Sequence, residues 1–331
     1  MRRPVSPGEV RAPDPAALRE AAALLRARQL VAFPTETVYG LGADGLDPAA
    51  LAAIFAAKER PADNPLILHI ASADQLDAIA QTIPPAALRL AAAFWPGPLT
   101  LVLPRRPVVP PIACGGLDTV AVRVPAHPVA LALLREFGGP LAAPSANRSG
   151  RPSPTLAAHV AADLGDRVAM ILDGGPAIHG LESTVVDCTG APRLLRLGAL
   201  TREAIEAVLG PLAADDPGSA ALRSPGLRYR HYAPRARVVI ASTWELPRIV
   251  TQLRAAGERV AVIVREAEPG PGAATVWRVP DDPEFVGYAR ELYAALRGLD
   301  AGGVGVIIAE SVPERGLGRV IMDRLRRAAA R

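Results

Sequence analysis

Residues 31–69 read VAFPTETVYGLGADGLDPAALAAIFAAKERPADNPLILH, and the punctuation of this stretch decides the fold class. An apolar strand over 30–33 breaks at Pro34, so Thr35, Glu36 and Thr37 follow where a strand end presents side chains to a cleft. Asp47 caps a helix running from Pro48 to about Lys58, which Pro61 stops, and residues 66–70 give a further strand with His69 inside it. A histidine in an apolar strand is more often a satisfied core residue than a ligand. Strands interleaved with helices point to an α/β protein.

Residues 40–45, GLGADG, match GxGxxG. In the dinucleotide fingerprint the glycine turn joins strand to helix directly, and an acid about 20 positions later holds the ribose. Here the helix starts later, and the segment that should carry the acid carries Lys58 and Arg60. A turn-forming glycine run is the favoured reading, with a nicotinamide oxidoreductase as the lesser alternative.

Lys58 is the only lysine among 37 Lys and Arg residues. Keeping one ammonium where every other cation is Arg suggests a task that guanidinium does not perform, although chance also leaves single lysines. Residues two apart on a helix point in different directions, so Lys58 and Arg60 can meet one ligand only if the helix ends between them.

At 331 residues, half of them hydrophobic, with a mean hydropathy of +0.20, the chain is a folded protein with room for two cores. A net charge of +4 is too small to imply nucleic-acid binding by itself. Cys114 and Cys188 lie far apart with no CxxC or Cys/His cluster, which argues against a zinc site and a disulfide framework and for the cytoplasm. No stretch approaches the ~18 apolar residues of a membrane helix, so no membrane partner is expected.

Along the rest of the chain, helices are predicted over 16–28, 72–80, 84–94, 128–136 and 201–209, and strands over 99–103, 119–124, 141–143, 170–172, 185–187 and 194–197. Arg123 interrupts the apolar strand TVAVRV and needs an anion; Asp118 is the obvious neighbouring carboxylate, and a ligand carboxylate or phosphate the other candidate. Residues 144–150, PSANRSG, form a polar loop. The expected division is 1–210, a linker over 211–236 whose second half is rich in aromatics and cations, and 237–331. In the last part strands (238–241, 260–264, 304–309) alternate with helices (246–255, 284–296, 317–329), which indicates a small three-layer domain with a largely parallel sheet.

The first part lacks a Walker lysine motif, a Gly-x-Ser-x-Gly elbow and an HExxH pair. Its fixed cations and neutral donors suit a polyanionic substrate, where a protein works by positioning and charge stabilisation. Taken together, PTETVYGLG, KERPADNPLILH, DTVAVRVP, PSANRSG, LESTVVD and SPGLRYRHYAP resemble the threonylcarbamoyl-AMP synthase family in its longer form. The resemblance implies a YrdC-like twisted mixed sheet with flanking helices and a concave cationic cleft, plus a smaller Rossmann-like three-layer α/β domain. It implies an enzyme, a nucleotidyltransferase, that condenses L-threonine, bicarbonate and ATP to threonylcarbamoyl-AMP and pyrophosphate. The product serves threonylcarbamoyladenosine modification of tRNA through downstream transferase proteins, with direct tRNA contact left open. A magnesium ion (Mg2+) is expected on the ATP phosphates.

Carried over residue by residue, the family's threonine site falls on Thr35, His69, Arg123, Ser145 and Ser183. Its nucleotide site falls on Lys58, Arg60, Asn64, Thr119, Asn147, Ser153, Arg196 and Tyr232, with Lys58 and Arg60 stabilising the leaving pyrophosphate. The linker is expected to lie across the mouth of the cleft. The alternative is a double-stranded RNA or tRNA binding module without catalysis of its own.

Overall fold

In the computed structural model, residues 8–213 and 231–330 are described. The chain divides into two compact units, and the division is not purely sequential. The first holds Met1–Ser149, Pro154–Ile178 and Glu182–Arg228; the second holds Gly150–Ser153, His179–Leu181 and Tyr229–Arg331. Most of the expected linker, residues 214–230, lies outside the described residues.

The first unit is built on a sheet of ten described strands: β1 (Glu9–Arg11), β2 (Val31–Phe33), β3 (Gly40–Asp44), β4 (Ile67–His69), β5 (Leu99–Pro104), β6 (Thr119–Arg123), β7 (Leu141–Ala142), β8 (Met170–Leu172), β9 (Thr184–Asp187) and β10 (Arg193–Arg196). Their order is β1-β8-β2-β3-β7-β4-β6-β5-β9-β10. The pairing is mixed: β4 runs parallel to β6 and β5 to β9, while β5 and β6 are antiparallel. Helices α1 (Pro15–Arg26) and α2 (Pro48–Lys58) begin as expected. Asp14 Oδ1 accepts from the Ala17 amide and Asp47 Oδ1 from the Ala49 amide, each at 2.8 Å, and proline fills the first turn.

The glycine run is not a turn. Gly40–Asp44 is a strand paired antiparallel to β2, with Gly42 opposite Val31 and Gly40 opposite Phe33. Glycine is needed there for closeness: a Cβ on Gly42 would sit 2.8 Å from Phe33 Cε1. With no strand-to-helix glycine turn, the basis of the dinucleotide reading is gone. The expected helix over 72–80 is a 3₁₀ turn (Ala73–Gln75) followed by a single helical turn (Leu76–Ile79). Strands β1 and β3 and the helix Ala157–Leu164 had no counterpart in the expected elements.

Apolar side chains of α2, of the helix Pro85–Phe94 and of alternate strand positions (Leu68, Leu101, Leu103, Val120, Val122, Val186) form one large core. The opposite positions of the same strands do something else, and they define the site below.

The second unit carries four parallel strands, β11 (Arg237–Ala241), β12 (Val260–Val264), β13 (Thr275–Arg278) and β14 (Val306–Glu310), ordered β11-β14-β12-β13. The helix Leu246–Ala255 buries Leu246 and Val250 against Val260, Val262, Val306 and Ile308. In an open parallel sheet, ligands bind beyond the carboxyl ends of the strands. Here the buried Glu310 fills that place: its Oε2 accepts from the amides of Arg265 (2.6 Å), Glu266 (3.1 Å) and Ala267 (3.1 Å), and Oε1 from Thr243. The chain supplies its own anion to the amide nest.

Gly42→Val is expected to overpack Phe33 and cost about 1–3 kcal/mol, read as a lowered urea midpoint. Gly190→Ala, where an added Cβ meets nothing within 4 Å, is expected to stay within about 0.5 kcal/mol.

Candidate active site

Side chains alternate across a strand, so residues two apart share a face. On β4 this groups Ile67 with His69, on β6 Thr119 with Ala121 and Arg123, and on β5 Thr100 with Val102. Ile67, Val102, Ala121, Val185 and Leu195 form a small apolar cluster separate from the large core. It makes a floor on the face away from α2, and the polar members of the same rows flank it. The register places His69 directly beside Arg123. Thr119 stands at the other end of β6, four residues or about 13 Å from Arg123 along the strand.

Arg123 is the centre of the hydrogen bonding. Its Nη2 donates to Glu36 Oε1 at 2.6 Å, Nη1 to Thr37 Oγ1 at 2.8 Å and Nε to the Gly97 carbonyl at 3.2 Å. Both members of the ion pair are buried. The anion that Arg123 requires is thus Glu36; Asp118, the neighbour in sequence, pairs instead with Arg105 at 3.6 Å. Burial alone would raise the Glu36 carboxyl, but the Arg123 charge and hydrogen bond, with the Glu36 and Ala126 amides, outweigh it and hold the group below the usual carboxylate range. Thr35 closes the turn, its Oγ1 2.7 Å from Thr37 Oγ1 and donating to the Val38 carbonyl at 2.6 Å.

His69 is buried, with its ring edge-on to Phe33 at 6.4 Å. Burial and then the charge of Arg123 push its pKa down to about 3, so the imidazole is neutral and Nδ1 faces the Ile67 carbonyl at 3.2 Å. Ser183, just before β9, has Oγ 2.7 Å from Thr100 Oγ1 and accepts there from Arg196 Nη2 at 3.2 Å. Arg196 also donates to the Ser183 carbonyl, from Nη2 at 2.9 Å and Nε at 3.2 Å. A register shift between Leu194 and Arg196 lets Leu195 join the floor while its neighbour reaches Ser183. Gly198 permits the close approach, since a Cβ there would lie 2.3 Å from the Ser183 carbonyl carbon.

A second group gathers beyond the beginning of β4. Helix α2 ends at Lys58, and Glu59 takes the left-handed conformation (φ 54°), which meets the condition for Lys58 and Arg60 to turn toward one place. The buried Lys58 ammonium donates to the carbonyls of Ser145 and Asn147, tying down the 144–150 loop. Arg60 donates to the carbonyls of Asn64 (3.3 Å) and Pro65 (2.9 Å). Asn64 is buried, and its Oδ1 makes no hydrogen bond among the described residues.

Thr35, His69, Arg123, Ser183 and Arg196 therefore form one group, while Lys58 gathers Ser145 and Asn147 and Arg60 holds the turn at Asn64. Ser145, expected with the threonine set, lies on Lys58, and it also bridges to Gly40. Ser153 and Tyr232 belong to the second unit, where the Tyr232 ring stacks on Tyr293 at 5.3 Å and lies under the Arg324 guanidinium at 5.0 Å. Glu36 and Thr37 were placed at the cleft but given no role, and Thr100 was missed. Glu36 was legible as the one carboxylate in PTETVYG, but its pairing with Arg123, 87 residues away, had no local signal.

The large mixed sheet with cations and hydroxyls on one face, followed by a separate parallel-sheet unit, defines a two-unit α/β protein of the Sua5/YrdC class. Residues 23–198 match the family described as telomere recombination, and residues 200–330 match the threonylcarbamoyl-AMP synthase C-terminal domain. A threonylcarbamoyl-AMP synthase of Pyrococcus abyssi is 48% identical over 94% of each chain. One of Bacillus subtilis is 48% identical over 94% of this chain and 92% of its own. The crystal structure of P. abyssi Sua5 complexed with L-threonine superposes with a TM-score of 0.91 at 46% identity, covering 97% of this chain and 96% of that one. The chain belongs to the threonylcarbamoyl-AMP synthase family. Among the described residues, no helix is long and apolar enough to cross a membrane.

Since the folded His69 pKa is about 3 and the unfolded value is about 6.5, the unfolded chain binds the extra proton as pH falls below 6.5. Stability contributed by neutral His69 is present above about pH 6.5 and is lost toward pH 3, by up to about 1.4 kcal/mol per pH unit. His127, also pushed down by burial, adds in the same direction. Urea melts from pH 7 to pH 5 are expected to show a shallower decline for His69→Asn than for the parent; identical slopes would contradict a buried neutral His69.

Proposed function

We propose that this chain is a threonylcarbamoyl-AMP synthase, a nucleotidyltransferase that joins L-threonine, bicarbonate and ATP. The observation that carries the reading is the buried row formed by His69, Arg123, Thr100 and Ser183 on one face of the sheet, flanking an apolar floor. The likeness to P. abyssi Sua5, crystallised with L-threonine, supports the amino-acid half.

A guanidinium has five N–H donors. Three serve Glu36, Thr37 and Gly97 among the described residues, which leaves one on each Nη for a bidentate grip on the threonine carboxylate. Neutral His69 and the hydroxyls of Thr35 and Ser183 then line the side chain and amine. The amine captures bicarbonate as an N-carboxylate with loss of water. A carboxylate oxygen attacks the α-phosphorus of ATP, and the bond from that phosphorus to the bridging oxygen breaks, releasing pyrophosphate. Lys58, Arg60 and Arg196, with Asn64, Asn147 and Thr119, are the nucleotide set, and their cations balance charge on the departing pyrophosphate.

Magnesium would come to this site on the nucleotide. Among the described residues no three His, Cys, Asp or Glu side chains gather into a metal cage, and the cationic set suits the phosphates that would carry the ion. The product is a mixed anhydride of a carbamic acid and a phosphate, poised for transfer to an amine. The acceptor in this reading is the adenosine beside the anticodon of tRNA, reached through downstream transferase proteins in the cytoplasm.

Pyrophosphate release is expected to require threonine, bicarbonate and ATP together; release that persists without threonine would overturn the reading. Arg123→Ala is expected to raise the threonine KM at least tenfold and leave the ATP KM nearly unchanged, whereas Lys58→Ala is expected to lower kcat by ~10²-fold. Wild-type turnover in Lys58→Ala would remove that residue from the reaction.

A further inference from the structure

A buried arginine alone would make this end of the sheet an anion site. It is not alone: Glu36 cancels its charge at 2.6 Å, so a bound carboxylate would bring an uncompensated negative charge into a buried place. A ligand carrying its own ammonium brings none. The amides of Glu36 and Ala126 lie near the Glu36 carboxylate, but its second oxygen, Oε2, is buried and makes no hydrogen bond of normal geometry among the described residues. An acceptor left so has a cost unless something fills it.

We propose that Glu36 is a specificity-determining residue of the amino-acid site, accepting the ligand's ammonium group and thereby selecting a zwitterionic α-amino acid over a carboxylate that lacks the amine. The inference deepens the functional reading above and rests on Arg123 holding the carboxylate. The geometry is compatible. Glu36 Oε1 occupies one hydrogen of Nη2, and the other remains for the ligand. Two acceptors on one amino nitrogen, at hydrogen-bond distance and ~120° apart, lie roughly 5 Å from each other. An α-ammonium group spans that gap, hydrogen-bonding the glutamate while staying attached to the carbon that bears the carboxylate. Neutral His69 beside the pair adds no further charge.

The test is calorimetric titration of the full-length protein with L-threonine, with β-hydroxybutyrate (the same carbon skeleton without the amine) and with ATP. In the parent, threonine is expected to bind at least tenfold more tightly than β-hydroxybutyrate. In Glu36→Gln, threonine is expected to weaken at least tenfold while β-hydroxybutyrate binds as before or better and ATP is unchanged; Glu36→Asp is expected to recover part of the preference. Equal affinities in the parent overturn the proposal without any variant, which keeps it testable if Glu36→Gln does not fold. A Glu36→Gln protein that weakens both ligands by the same factor also overturns it, since a merely structural role does that. Absence of threonine binding in the parent overturns the amino-acid reading itself, a different failure.

Discussion

Everything at the floor of the first unit depends on burying the Arg123 guanidinium. A cation of that size in the interior is tolerable only with an anion and satisfied donors around it. Glu36, Thr37 and the Gly97 carbonyl meet that need together. The consequence is architectural as well as chemical. The segment between β2 and β3 is pinned to β6, a strand that three others separate from β2 in the sheet order. The pin explains why residues 34–39 are buried although they form no regular element.

The same logic recurs in the other cations. Lys58 is buried and spends donors on two carbonyls of the 144–150 loop, so it organises the loop that carries Ser145 and Asn147. Arg60 does the same for the turn at Asn64 and Pro65, and Arg196 for Ser183. Each pre-positions a small polar residue by holding its backbone. Backbone held in this way is fixed before any ligand arrives, which lowers the reorganisation that binding requires. The second unit shows the opposite arrangement at the place where α/β sheets commonly bind ligands. Glu310 fills its amide nest, so that place already holds an anion of the chain's own.

Much of this was legible beforehand. Proline and acid punctuation located the starts of α1 and α2, and the alternation of strands and helices after residue 237 announced a parallel sheet. The six motifs marked the family, and the arginine inside TVAVRV marked a buried cation in need of an anion. The glycine run was misread because periodicity cannot distinguish a turn from a strand whose glycines make room for a neighbouring ring. Phe33 supplies that ring.

Local pattern alone therefore determined most of the helices and strands and several of the polar residues at their ends, since capping, proline geometry and hydrophobic period act over a handful of residues; it did not determine β1, β3 or the helix Ala157–Leu164. Partnership was decided only when the sheet assembled. That Glu36 neutralises Arg123, that Lys58 holds a loop 87 residues further on, and that a bulge turns Arg196 toward Ser183 all come from strand order and register. These are long-range quantities, set by how the whole hydrophobic face packs, and no short window of sequence contains them.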